Sequence, residues 1–416
     1  MVLKLDHNVM HHGGLGVIRT LGRHGVPVYS VHEHRWAPAA RSRFINGRIL
    51  WNPSADHVGE LLAGLERLSD IIGREAVLLP TDDAGAVFLA EHGDALRQRF
   101  RFPAPPRSLP RSLADKHSLL GLCAAHNVPA PRSVTAMTTR EVADFVDLVG
   151  FPLLVKKVKP WVVNGSGPAL SASVARSRPE LDDLLADVVG EGEILLQEYI
   201  PHAPEHDWGV AAYFDESSRG VPVFTGIKER SYPSDAGQTT LGRARSNPDL
   251  VDLVRRFLSA VGYRGIVDMD FREDPRDGQY KLLDVNPRIG AQFRLGRDAA
   301  GLDVALALHL DLTGRKVVER PQDVDRRLLV ESYDLVPAVK GFRARSLSYG
   351  DWWHSVRQRG ELAWFAADDL APFGLMCLRM VRRVARSRHP RRPVSAQASQ
   401  LVFESGRRSD RHAGVG

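Results

Sequence analysis

Cysteine is almost missing from this chain: two in 416 residues, Cys123 and Cys377, far apart. That excludes a disulfide framework and leaves no thiol pair at metal-ligand spacing for zinc. Long apolar runs are missing too. No stretch approaches the roughly 20 apolar residues a membrane-spanning helix needs. The opening, MVLKLDHNVMHHGG, lacks a sustained apolar core, so no signal peptide is expected. A reducing cytoplasm is the simplest compartment for such a chain. No Ser-His-Asp or Cys-His nucleophile stands in a recognisable sequence context, which turns attention away from covalent catalysis by the protein.

The balance of 43% hydrophobic and 25% charged residues is that of a soluble globular chain, and its length allows two or three domains with buried cores. The formal charge of +6 is misleading as a whole-chain value. Residues 371–416 hold ten arginines against Glu404 and Asp410, so the remaining body is slightly acidic. Basicity belongs to the tail and says nothing of nucleic-acid binding by the body.

The most informative segment is Leu282-Leu283-Asp284-Val285-Asn286-Pro287-Arg288, following Val267-Asp268-Met269-Asp270-Phe271 across the turn Asp274–Gly278. Both flanks read as strands. Residues two apart on a strand share a face, so Asp268 joins Asp270, and Asp284 joins Asn286. A turn centred near Asp277 sets Asp270 opposite Asp284 and Asp268 opposite Asn286. Carboxylates crowded in this way repel unless a proton or cation intervenes. A hard, oxygen-seeking ion carrying nucleotide phosphates, most simply Mg²⁺, meets that need. The plainer reading, a polar hairpin in solvent, fits poorly with Ile266, Val267, Met269, Phe271, Leu282, Leu283 and Val285.

Upstream, residues 1–108 read as an α/β unit. Gly13-Gly14-Leu15-Gly16 departs from dinucleotide-binding spacing and is expected to be a structural turn opening a helix, ahead of phosphate binding. The strand at Ala76–Pro80 ends in Thr81-Asp82-Asp83, the kind of position where open α/β sheets place ligands. Phe102–Pro106 reads as a linker. A helix from Asp115-Lys116 to about His126 follows, then a strand at Phe151–Lys157, a loop with Asn164-Gly165-Ser166-Gly167 and a strand at Glu193–Ile200. A helix near Pro248–Val261 precedes the hairpin.

Taken singly these pieces are modest. Lys116 suits a solvated helix start. Lys156, ending an apolar strand, must reach a partner or water. The Asn164–Gly167 loop is either ordinary or able to close over phosphates. Their order carries the signal. Asp115-Lys116, Phe151-Pro152 with Lys156, Gln197-Glu198-Tyr199-Ile200, Lys228 with Arg230, Asp270, and Asp284 with Asn286-Pro287-Arg288 together resemble the ATP-grasp superfamily over about residues 1–313. Within it, the chain looks most like carboxylate–amine ligases of the D-aspartate ligase-like branch.

The resemblance implies two α+β subdomains around an ATP cleft (about 109–190 and 191–315), preceded by an α/β domain (1–108). A basic helical extension (316–388) and a disordered tail (389–416) are expected to follow. It further implies that Lys116 and Lys156 bind ATP phosphates. Glu198 and the backbone of Tyr199 and Ile200, beside Gln197, would hold adenine, with Glu205 or Asp207 near ribose. Lys228 would face the γ-phosphate, and Asp270, Asp284 and Asn286 would ligate Mg²⁺, with Mn²⁺ as a substitute. Arg288 and Arg230 would steady the transferring phosphate or the substrate carboxylate. Aspartates replace the family's usual glutamates at the metal positions, which bears on ion geometry. The implied reaction joins a small carboxylic acid to an amine through an acylphosphate, releasing ADP and phosphate, and the resemblance leaves room for a homodimer. Two alternatives are a carbamoyl-phosphate-type enzyme and a non-catalytic ATP-binding module recruited by the basic tail.

Two other features have plain readings. His7, His11, His12, His32 and His34 follow no ordered metal motif. Residues 372–386 form a basic amphipathic helix, with Phe373, Met376, Cys377, Met380 and Val384 on one side. It is expected to dock on its own domain, ahead of peripheral contact with a membrane or a protein partner.

Overall fold

A computed structural model describes residues 1–53, 57–136, 138–157, 173–188, 194–203, 205–232, 237–343, 348–357, 360–386 and 401–405. The expected Asn164–Gly167 loop lies outside the described residues. Three larger sheets organise the chain.

The N-terminal sheet has the strand order Val402–Ser405, Ile45–Leu50, Val28–His32, Val2–Leu3, Leu79–Pro80. All its pairings are parallel except that of Val402–Ser405, which runs antiparallel to Ile45–Leu50. Leu3, Val31 and Ile49 from these strands pack with Leu61, Leu65 and Leu68 of the helix Val58–Ile72. The glycine run opens the helix His12–Arg23, as its composition predicts. A Cβ at Gly16 would stand 2.7 Å from the Arg294 guanidinium and 2.8 Å from Phe293. The small residues thus let the 291–296 segment lie directly against this helix.

The small sheet is antiparallel, ordered Ser133–Thr135, Ile194–Glu198, Leu153–Lys157, Ser173–Ala175. Its apolar face meets Val142 and Phe145 of the helix Thr139–Val149. That helix starts with a capping box: the Thr138 side chain accepts from the Glu141 backbone, and Glu141 reaches back to the Thr138 N–H.

The large sheet has seven strands: Tyr280–Asn286, Gly265–Glu273, Asp207–Phe214, Gly220–Tyr232, Gln238–Ala244, Arg327–Leu329 and Glu361–Leu362. The last two fall in the region expected to be a helical extension. Strands of two or three residues carry no readable period, and Leu328 and Leu329 are drawn in by pairing with the Gln238–Ala244 edge. The helix Pro248–Ala260 covers one face, burying Leu250, Val254, Phe257 and Leu258 against Val267, Met269 and Phe271.

The tail differs from expectation in a second way. Residues 402–405, read from composition as disordered, form the outer strand of the N-terminal sheet. Glu404 anchors it to Arg35 (2.7 Å) and Arg48 (2.9 Å). The basic helix Ala371–Arg386 docks on the body as expected: Met376 is buried in the core beside Phe373, Cys377 and Met380. Arg379 hydrogen-bonds His34 at 2.8 Å. No helix among the described residues is long and apolar enough to cross a membrane.

Candidate active site

Two strands of the large sheet put the predicted oxygen donors side by side. Asp270 pairs with Asp284 and Asp268 with Asn286, the register expected from the turn position. A β-bulge makes this work. Leu282 pairs with Phe271 while Asp284 pairs with Asp270, leaving Leu283 as the extra residue. Without it, Leu282 and Asp284 would share a face. With it, Leu282 and Val285 enter the core, and the two polar side chains point the other way.

These groups line a cavity of about 440 Å³ between the N-terminal unit and the large sheet. Lys228 contributes from the strand Gly220–Tyr232, its ammonium 2.8 Å from Asp270. Burial alone would lower the Lys228 pKa, but Asp270 outweighs it and the value rises. Lys116 reaches Asp284 directly from the first turn of the helix Lys116–Ala125. Asp115 caps that helix by accepting from the Ser118 N–H, which fixes where the lysine starts. Burial works to raise Asp284, yet Lys116 holds it below the ordinary carboxylate range. Lys156 arrives from the small sheet. Its pKa is pushed down to about 8, first by burial and then by Lys116, with Asp284 and Asp270 opposing. Three predicted lysines, from three parts of the chain, therefore converge on the predicted carboxylate pair.

Arg288 lines the cavity, 3.4 Å from Asp83 and 3.7 Å from Asp268. A Cβ at Gly290 would overlap the Asp268 carboxylate, so glycine is needed there. Burial pushes Asp268 up to about 7, with Arg288 pulling it down and Asp270 pushing it up.

Other predicted residues are engaged elsewhere. Arg230 forms a two-pronged bond with Asp334 (2.9 and 3.0 Å), which also accepts from Thr240 and Trp352. It does not line the cavity. Register irregularities on either side of residue 230 go with this departure from the Lys228 face. Asp207 is buried and clasped by Arg272 (2.5 and 3.1 Å). Glu205, half-exposed, pairs with Arg243 at 2.5 Å and Arg245 at 2.6 Å. Glu198 bonds Arg276 (2.7 Å) and accepts from the Arg132 N–H. The Gln197 amide donates to Ser133, the Ile200 carbonyl accepts from Arg272, and that guanidinium lies over the Tyr199 ring. None of Gln197, Glu198, Tyr199 and Ile200 lines the 440 Å³ cavity.

The wall that motif order did not assign is the N-terminal one: Asp6, His11, His12, Asp82 and Asp83. Only the position of Thr81-Asp82-Asp83 after a strand pointed there. Among the described residues, no three His, Cys, Asp or Glu side chains form a metal-holding cluster. The donors in register are three carboxylates and one amide, Asp268, Asp270, Asp284 and Asn286. That set fits a hard ion which takes its remaining ligands from phosphates and water.

No family model matches the chain. The D-aspartate ligase of Enterococcus faecium (strain Aus0004) is 25% identical over 268 residues, 61% of this chain and 63% of that enzyme. The carbamoyl phosphate synthase large chain of Clavibacter sepedonicus is 29% identical over 220 residues, 50% of this chain and 19% of the relative. The chain thus spans under two thirds of the first relative and about a fifth of the second. Among solved structures, N5-carboxyaminoimidazole synthetase from Staphylococcus aureus complexed with ADP superposes with a TM-score of 0.60. It is 11% identical, covering 83% of this chain and 86% of that one. L-amino acid ligase from Bacillus licheniformis gives 0.51 at 16% identity, covering 76% and 74%. The fold is the ATP-grasp fold, as the motif order implies.

Proposed function

We propose that the protein is an ATP- and magnesium-dependent ligase joining a small carboxylic acid to an amine. One observation carries this reading: Lys116, Lys156 and Lys228 converge on Asp270 and Asp284 beside one cavity. Cations from three directions suit a polyphosphate, and the carboxylate pair suits the ion that accompanies it. The relatives' names, D-aspartate ligase and L-amino acid ligase, support the same class.

Lys116 and Lys156 would bind the phosphates, and Lys228 would meet the γ-phosphate side. Asp270, Asp284 and Asn286 would hold magnesium, which when bound neutralises phosphate charge on the transferred group. The backbone at Glu198–Ile200 would hold adenine. Both carboxylates are paired with arginines, but Glu205 is half-exposed while Asp207 is buried under Arg272, which makes Glu205 the better candidate for ribose. Arg288 would steady the substrate carboxylate, whereas Arg230 serves the Asp334 contact.

In the first step a carboxylate oxygen bonds the γ-phosphorus and the bond to the β-bridging oxygen breaks, releasing ADP. The amine nitrogen then attacks the acyl carbon. Phosphate leaves with the electron pair of the C–O bond, and nitrogen gives up a proton. Full-length protein with ATP, Mg²⁺ and a matrix of acids and amines tests this: ADP and phosphate should appear only with a matched pair. Nucleotide binding without turnover across the matrix would favour a binding module instead.

A further inference from the structure

The C-terminal helix Ala371–Arg386 is apolar on two faces. The inner one docks as described, with Met376 buried in the core. A basic amphipathic helix should then turn its arginines to solvent. Instead, up to residue 382 the exposed positions are Ala371, Gly374, Leu378, Val381 and Arg382, a row at helical spacing with one charge in it. Leu378 is 43% exposed and Val381 67%, and Leu370, just before the helix, is 57% exposed. Trp36, also exposed, flanks the helix: its carbonyl accepts from Arg379 at 3.4 Å, and the Arg41 guanidinium lies over its ring. Single exposed apolar residues are ordinary, but a continuous row beside an exposed tryptophan marks an interaction surface.

Charge says what covers it. Residues 371–400 contain seven arginines and no aspartate or glutamate, while the body of the chain is slightly acidic. The nearby carboxylates are already paired: Asp368 with Arg23 at 2.8 Å, and Glu404 with Arg35 and Arg48. The surface therefore offers positive charge next to apolar side chains, with no free acid to repel lipid phosphates. Leucine and valine can enter the acyl boundary, arginine can meet the headgroup phosphates, and tryptophan suits the layer between. A nucleic acid would use the arginines alone and leave the apolar row in water.

We propose that this face is a peripheral docking surface for an anionic lipid bilayer, entered by Leu370, Leu378 and Val381 and held by the neighbouring arginines. The helix lies in the plane of the membrane and keeps its inner face on the protein, so the chain rests on the bilayer without crossing it. Attraction between arginines and headgroups brings the surface in, and burial of the apolar row retains it. The inference is independent of the ligase reading.

The test is co-sedimentation of the full chain with phosphatidylcholine vesicles, with and without phosphatidylglycerol, at low and high salt. The protein should partition onto the phosphatidylglycerol vesicles, less so at high salt, and hardly at all onto phosphatidylcholine alone. Leu378→Glu combined with Val381→Glu should weaken that partition at least tenfold and leave the melting midpoint unchanged. Equal partition of the double variant, equal binding to both vesicle types, or no binding to either would overturn the assignment. So would a fall in the variant's melting midpoint, which would show that the chain itself covers the row. Capture of single-stranded RNA, equal in wild type and variant, in place of vesicles would assign the arginines to nucleic acid instead and overturn it too.

Discussion

Lys116 and Asp284 touch across 168 residues of sequence, one opening a helix after the interdomain linker and the other on the last strand of the hairpin. The pair joins a candidate phosphate-binding cation to a candidate metal ligand. Each then has a partner to exchange when Mg²⁺ and phosphate arrive together.

Asp284→Ala should cut metal-dependent ADP release by about two orders of magnitude, the scale for removing one charge-stabilising group. Lys116 is buried, so taking away its partner should also lower stability, by about 1–3 kcal/mol. Steady-state rates with a melting curve on the same sample check both statements. Unchanged activity would refute the site assignment.

Lys228 and Asp270, 2.8 Å apart, should act as a unit. Lys228→Met should reduce turnover strongly, and adding Asp270→Asn should cost much less than the two single losses combined. A double-mutant cycle on kcat/KM decides. Strict additivity would show that the two side chains serve separate tasks.

Lys156 gives a pH signature. Its folded pKa of about 8 lies below the ordinary lysine value, so the ammonium is present below that pH and lost above it. MgADP affinity should therefore decline as pH rises through about 8, until bound phosphate can no longer restore the charge. The linked stability term has the opposite sense: charged Lys156 disfavours folding below about 8, and the penalty fades between there and the unfolded value. Calorimetric titration from pH 7 to 9.5 should show the decline in wild type and not in Lys156→Met.

Removing residues 371–416 should destabilise the N-terminal unit. The truncation takes away the buried Met376 and the strand held by Glu404. Burial of one methionine alone is worth about 2 kcal/mol. Thermal melting should show a fall of several degrees. An unchanged midpoint would return the tail to the status of a dispensable appendage.

Much of this was legible in the sequence. The hairpin register followed from alternation and turn position, because Asp268, Asp270, Asp284 and Asn286 stand out against apolar neighbours. The bulge at Leu283 was not, since one extra residue leaves no pattern in composition. Arg230 was named from the resemblance, which could not show that the register shifts around residue 230 and that Asp334, far away in sequence, pairs with the guanidinium. Asp82 and Asp83 were marked by their place after a strand, but that they and Asp6 face the hairpin was not legible, because tertiary packing alone brings them opposite it. Composition correctly flagged the tail as basic, yet could not show that four of its residues complete a sheet edge.

The central claim is that the cleft transfers phosphate to a carboxylate, and hydroxylamine offers the most direct measurement because it traps acylphosphates without the natural amine. Protein, MgATP, hydroxylamine and a panel of small carboxylic acids should yield a hydroxamate with the matching acid, in step with ADP, and none with Asp284→Ala. Hydroxamate accompanied by AMP and pyrophosphate would contradict the account.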